Sequence, residues 1–121
     1  MGLDTYAARS PDGGLTGDDV AAFEAAGIEL CGGLYSDGVV SFRGKVYWEF
    51  ILELTGESLT QEWIPPHTVA LMASALDGCD PDTAVADLDL DVDTPTPDEI
   101  RELRRFFGLC RERGLGLVGW W

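Results

Sequence analysis

Two runs near one end, Thr96-Pro97-Asp98-Glu99-Ile100-Arg101-Glu102-Leu103 and Gly114-Leu115-Gly116-Leu117-Val118-Gly119-Trp120-Trp121, decide how this chain folds. Thr96 offers a side-chain oxygen to the free amides of a helix start, Pro97 suits a first turn that needs no N–H, and Glu99 can reach back to complete a capping box. Ile100, Leu103, Phe107 and Cys110 then recur at helical spacing as a buried stripe. Gly114 ends the helix because glycine takes the left-handed cap without strain. The run from Leu115 to Trp121 reads as a strand, and Leu3 to Ala7 is expected to pair with it in a register that the sequence does not set.

Working outward, Thr16 with Asp19 repeats the capping pattern, Leu15 and Val20 are placed to staple, and Gly27 closes a short helix. Ile28 to Cys31 and Val39 to Phe42 read as short strands, with Gly32-Gly33 and Ser36-Asp37-Gly38 as turn chemistry in a hairpin. Val46, Tyr47, Phe50, Ile51 and Leu54 predict a helix from Gly44 with Gly56 as its stop. Pro65-Pro66 opens another, in which Val69, Met72, Ala73 and Leu76 face inward before Gly78. The expected fold class is α+β, about four helices on a small, mainly antiparallel sheet, in a single compact domain spanning 1–121.

The length of 121 residues suits one hydrophobic core, and 45% hydrophobic residues exclude the composition of a disordered chain. No apolar run reaches the length of a membrane span, and the first residues lack the basic and apolar regions of a signal peptide. Cys31, Cys79 and Cys110 are odd in number and far apart, which fits reduced thiols and a cytoplasmic location.

The charge is the strongest global signal. Twenty-two acidic against eight basic residues leave −14, and residues 97–113 alone are net positive, with five arginines against four carboxylates. Such a field disfavours direct nucleic-acid binding and allows a basic protein partner. Adaptation to salt or a GC-rich coding sequence would produce the same balance. The segment from Asp77 to Asp93 holds seven Asp and no basic residue.

Within it, Asp87, Asp89, Asp91 and Asp93 alternate with Leu88, Leu90 and Val92, so an extended strand would set four carboxylates on one side. As a calcium loop the spacing fails, because the required glycine falls on Val92. The preferred reading is a half-buried edge strand whose charges deter pairing, with these aspartates as candidate partner-binding residues. Arg101, Arg104, Arg105 and Arg111 cluster on one side of the last helix. They are expected to neutralise the Asp-rich segment, or else to form an anion platform.

Gln61-Glu62-Trp63-Ile64-Pro65-Pro66-His67 sets the only histidine, a carboxylate and an indole beside a rigid helix start. Glu62, Trp63 and His67 are the ligand-pocket candidates; the competing reading has Trp63 and Ile64 plugging the core and His67 in solvent. Gly44-Lys45 lacks the Walker A glycine, since Val39 stands there. Cys31, Cys79, Cys110 and His67 have the composition of a zinc site without its paired spacing, so no metal and no cofactor is expected. Glu49, Glu53 and Glu57 recur every four residues, as the wet side of their helix.

No motif identifies a family. The favoured function is a binding or regulatory module for a basic partner, of inhibitor, immunity or antitoxin type, with Trp63, Trp120 and Trp121 as anchors. The competing class is a small metal- or ligand-binding enzyme with its pocket near Glu62, Trp63 and His67.

Overall fold

A computed structural model describes residues 4–11, 14–30, 33–36, 39–88 and 95–120. The elements run β1 (Asp4–Ala8), α1 (Gly17–Ala26), β2 (Leu34–Ser36), β3 (Val39–Arg43), α2 (Gly44–Thr55), α3 (Pro66–Gly78), α4 (Ala84–Leu88), α5 (Pro97–Arg113) and β4 (Gly116–Trp120). The strands form one antiparallel sheet in the order β2-β3-β1-β4, so the chain is α+β as its patterning indicates.

Local chemistry sets most boundaries. Thr16 and Thr96 each accept from the N3 amide of their helix, while Asp19 and Glu99 accept from the N-cap amide in return. Gly27, Gly56 and Gly114 end α1, α2 and α5 in the left-handed conformation. At the end of α5 the amides of Gly114 and Leu115 return to Arg111 and Cys110, which turns the chain straight into β4. α3 runs through Gly78 to a cap at Cys79.

Two expected strands are corrected. Residues 28–30 form no strand: Ile28 and Leu30 are buried, and the Glu29 amide donates to Glu102 of α5 at 3.0 Å. The alternation there reflects a connection laid against a helix, and the hairpin starts at Leu34. The second correction concerns Asp87 and Leu88, which end α4. Asp80 nucleates it by accepting from the amides of Asp82, Thr83 and Ala84, and Ala84, Val85 and Leu88 pack on the core at helical spacing. The rest of the expected acidic strand, Asp89 to Asp93, lies outside the described residues.

Alternation along the strands directs Thr5, Ala7, Val40, Phe42 and Leu117 into the interior. Phe106 of α5 is the hub above them, its ring centroid 5.0 Å from those of both Phe42 and Phe23. α3 lies along α5 and contributes Val69, Met72, Ala73 and Leu76. Burying such side chains supplies the main driving force, about 1.5–3 kcal/mol for each large one.

The side of β4 away from β1 is covered by residues 61–64. Ile64 and Leu117 exchange both backbone hydrogen bonds, at 2.8 and 2.9 Å, and the Gly119 amide donates to Gln61 at 3.1 Å.

Thr5 is fully buried in an interior strand, and its hydroxyl has no hydrogen-bond partner among the described residues. An unpaired buried hydroxyl is costly, so Thr5→Val is expected to raise stability by about 1 kcal/mol, read as a higher urea midpoint at unchanged slope. A lower midpoint would refute this.

Candidate functional site

The charged surface assembles in three places. The tightest is a clasp around Asp19, whose side chain is fully buried. Arg9 donates to it from Nε and a terminal nitrogen, both at 2.7 Å, and Arg113 adds a third bond from Nε at 2.8 Å. Oδ2 also takes the Thr16 amide. The clasp joins the chain after β1, the start of α1 and the last residue of α5. Hydrogen bonding from Arg9, with further bonds from Thr16 and Arg113, holds the carboxyl well below its ordinary range against the opposing effect of burial. With all its acceptor directions facing donors, this group has a structural assignment.

The second place is the outer side of α5. Arg101 pairs with Asp82 at 2.8 Å and with Asp98 at 2.9 Å, and Arg111 pairs with Asp77 at 2.9 Å. Arg105 holds Glu102 and also donates to the carbonyl of Ala26 at the end of α1. Among the described residues Arg104 is the arginine outside an ion pair; it lies half-buried, with its charge acting on Cys79. The arginines therefore meet Asp77 and Asp82, as the sequence led us to expect, and much of the anion platform is neutralised from within.

The third place is α2 and the loop after it. Tyr47, Phe50 and Ile51 are buried, which turns Trp48, Glu49 and Glu53 outward. Trp48 is 38% exposed. Glu57 accepts from Gln61 at 2.9 Å, and Glu62 is exposed beyond it. Among the described residues none of Glu49, Glu53, Glu57 and Glu62 takes part in an ion pair.

The ligand-pocket candidates are neighbours in sequence with separate surroundings. Trp63 is half-buried with its ring directed at Gly116 of β4, where a Cβ would lie 2.5 Å from Cη2. Glu62 and His67 are exposed, His67 in the first turn of α3. Ile64 between them is buried, as the core-plug reading of this run requires. A shallow depression of about 400 Å³ lies elsewhere, between α4 and the start of α5, lined by Pro81, Val85, Pro95 and Pro97.

Of the partner-binding candidates, Asp89, Asp91, Asp93 and Trp121 lie outside the described residues, as does the side chain of Asp87 on α4. Trp120 pairs through its backbone with Asp4, and its side chain is likewise outside the description. Cys31 is not described either. Cys79 is half-buried and donates to Leu76, while Cys110 is fully buried, and burial raises both thiols above their ordinary range. Among the described residues no three His, Cys, Asp or Glu side chains come together for a metal ion, and no helix is long and apolar enough to cross a membrane.

Sequence reasoning missed Asp19 as an anchor and Trp48 as an outward aromatic. The first gives no local signal beyond a capping box, since Arg113 lies 94 positions away. The second was legible, because Trp48 falls opposite the buried Phe50 side of α2. Comparison of the chain with protein-family models, with curated proteins and with solved structures finds no match.

Proposed function

We propose that the protein is a binding or regulatory module that engages a basic protein through the outer face of α2 and the loop that follows, acting in the cytoplasm without contacting nucleic acid. The observation that carries this reading is the partition of charge. Six of the seven arginines are engaged in ion pairs on other elements, which leaves Glu49, Glu53, Glu57 and Glu62 without an arginine among the described ion pairs. Trp48 on the same face supports a cationic partner in particular, because an indole face attracts guanidinium and ammonium groups. Like-signed carboxylates along a helix also steer an oppositely charged protein and speed its encounter.

The enzyme reading has less support, since the Trp63 ring packs on Gly116 and leaves Glu62 and His67 in solvent. The test is native mass spectrometry of the protein from its own cells, followed by calorimetric titration of any basic protein that co-purifies. Binding is expected to weaken with added salt, and about tenfold or more in Glu49→Gln/Glu53→Gln/Glu57→Gln. Glu24→Gln/Glu112→Gln, on α1 and α5, should change it little. A bare chain, or equal losses in the two variants, would overturn the reading and leave the acidity as a property of the whole surface.

A further inference from the structure

The solvent side of α3 departs from the rest of this acidic molecule. From Trp63 to Leu76 there is no Asp, Glu, Lys or Arg, although the chain carries −14. On that side Leu71 is 69% exposed, nearly twice the exposure of Trp48. At about 100° per residue, His67, Leu71, Ser74 and Gly78 fall on one stripe, with Ala70 and Asp77 along its border. All four stripe residues are exposed, and the opposite side of the helix is sealed by Val69, Met72, Ala73 and Leu76.

We infer that this face binds the same face of a second copy of the chain, the two α3 helices crossing antiparallel about a two-fold axis between Leu71 and Ser74. Charge selects this occupant. A basic partner, which suits α2, finds a single carboxylate along this stripe, Asp77 at its far end, whose Oδ2 holds Arg111 at 2.9 Å while the side chain stays 45% exposed. Two copies at −14 repel each other, and the approach that costs least joins the faces poorest in unpaired carboxylates, where Arg111 donates to Ser74 at 3.5 Å and pairs with Asp77.

The ends of the stripe are also self-complementary. His67 lies five positions before Met72 and Asp77 five positions after it, so an antiparallel pair sets each imidazole beside the partner's Asp77. A two-fold interface requires this kind of matching, in which one residue meets a second and the second meets the first. The small side chains of Ala70, Ser74 and Gly78 let the helices approach closely enough to bury Leu71. The antiparallel arrangement also sets each helix N-terminus near its partner's C-terminus. This surface is on a different helix from the one proposed for the basic partner, and the inference stands independently of that reading.

An interface of two helix faces belongs at the small end of the size scale, with a dissociation constant of roughly 10–100 µM. Sedimentation equilibrium of the full chain across that range tests it. Dimerisation is expected to tighten severalfold between low and high salt, because screening removes the repulsion between copies while the apolar contact remains. Leu71→Asp is expected to loosen it about tenfold or more. His67→Glu should loosen it by facing the partner's Asp77 with like charge, and His67→Lys should tighten it.

Circular dichroism reports whether each variant keeps the fold. If Leu71→Asp unfolds, the two substitutions at exposed His67 carry the test. A chain that stays monomeric throughout, a dimer indifferent to Leu71→Asp while folded, or equal behaviour of Glu and Lys at position 67 would each overturn the proposal.

Discussion

Replacing Asp19 with asparagine is expected to cost about 3 kcal/mol at neutral pH, the low end for breaking a buried ion pair, because both guanidinium partners reach solvent. The substitution removes the charge that three arginine N–H donors converge on and turns an amide toward some of them. It also weakens the acceptor for the Thr16 amide, and with it the N-terminus of α1.

The deficit should depend on pH in a determined direction. Arg9 and the other donors hold the folded-state carboxyl below its unfolded value, so the charged form is what stabilises the fold. That contribution is fully present above about pH 4–5, where the unfolded carboxyl is ionised too, and it is lost as pH falls through the depressed folded-state value. Urea unfolding of the two proteins at neutral pH, pH 5 and pH 3 measures this. The gap in stability should stay constant between the first two and narrow at the third; a gap that widens in acid would contradict the assignment of the clasp.

Gly116→Ala should cost a similar amount for a different reason. A Cβ built on Gly116 lies 2.5 Å from the Ile64 carbonyl oxygen and 2.5 and 2.9 Å from two atoms of the Trp63 ring. The backbone of Gly116 is ordinary extended strand, so the cost is purely steric and falls near the upper end of overpacking, about 3 kcal/mol. Neither obstacle moves freely: the carbonyl belongs to the bridge between Ile64 and Leu117, and the ring is half-buried.

A double-mutant cycle separates the two contacts. Trp63→Ala removes the ring and leaves the carbonyl, so in that background Gly116→Ala should cost about 1 kcal/mol less than in the native protein. Strict additivity would mean that the ring is not what excludes a side chain at this position.

Legibility in the sequence followed the range of the interactions involved. The capping boxes at Thr16 and Thr96 and the glycine stops at Gly27, Gly56 and Gly114 are complete within a few residues, and each occurs where the pattern placed it. The pairing of β1 with β4 was expected in outline, and the structure supplies its antiparallel register. Errors arose where a short apolar alternation had two physical origins. Ile28 and Leu30 alternate because Glu29 is hydrogen-bonded to α5, and the run beginning at Asp87 enters through a helix that Asp80 nucleates.

The candidate surfaces divide in the same way. The four-residue spacing of Glu49, Glu53 and Glu57 was plain, as was the match between α5 arginines and the Asp-rich segment. That Arg9 and Arg113 converge on Asp19 and that Trp63 lies on Gly116 depend on how distant segments meet. No local pattern encodes those meetings.

The position of β1 bears on how the chain is made. β1 lies between β3 and β4, and its contact with β4 joins Asp4 to Trp120. During synthesis, β1 and β3 emerge before β4 and can pair, yet the other side of β1 stays bare until the segment up to Trp120 has been translated. The sheet therefore closes late, through a loop of more than a hundred residues, and a nascent chain stalled before β4 would present an open strand to its neighbours or to a chaperone.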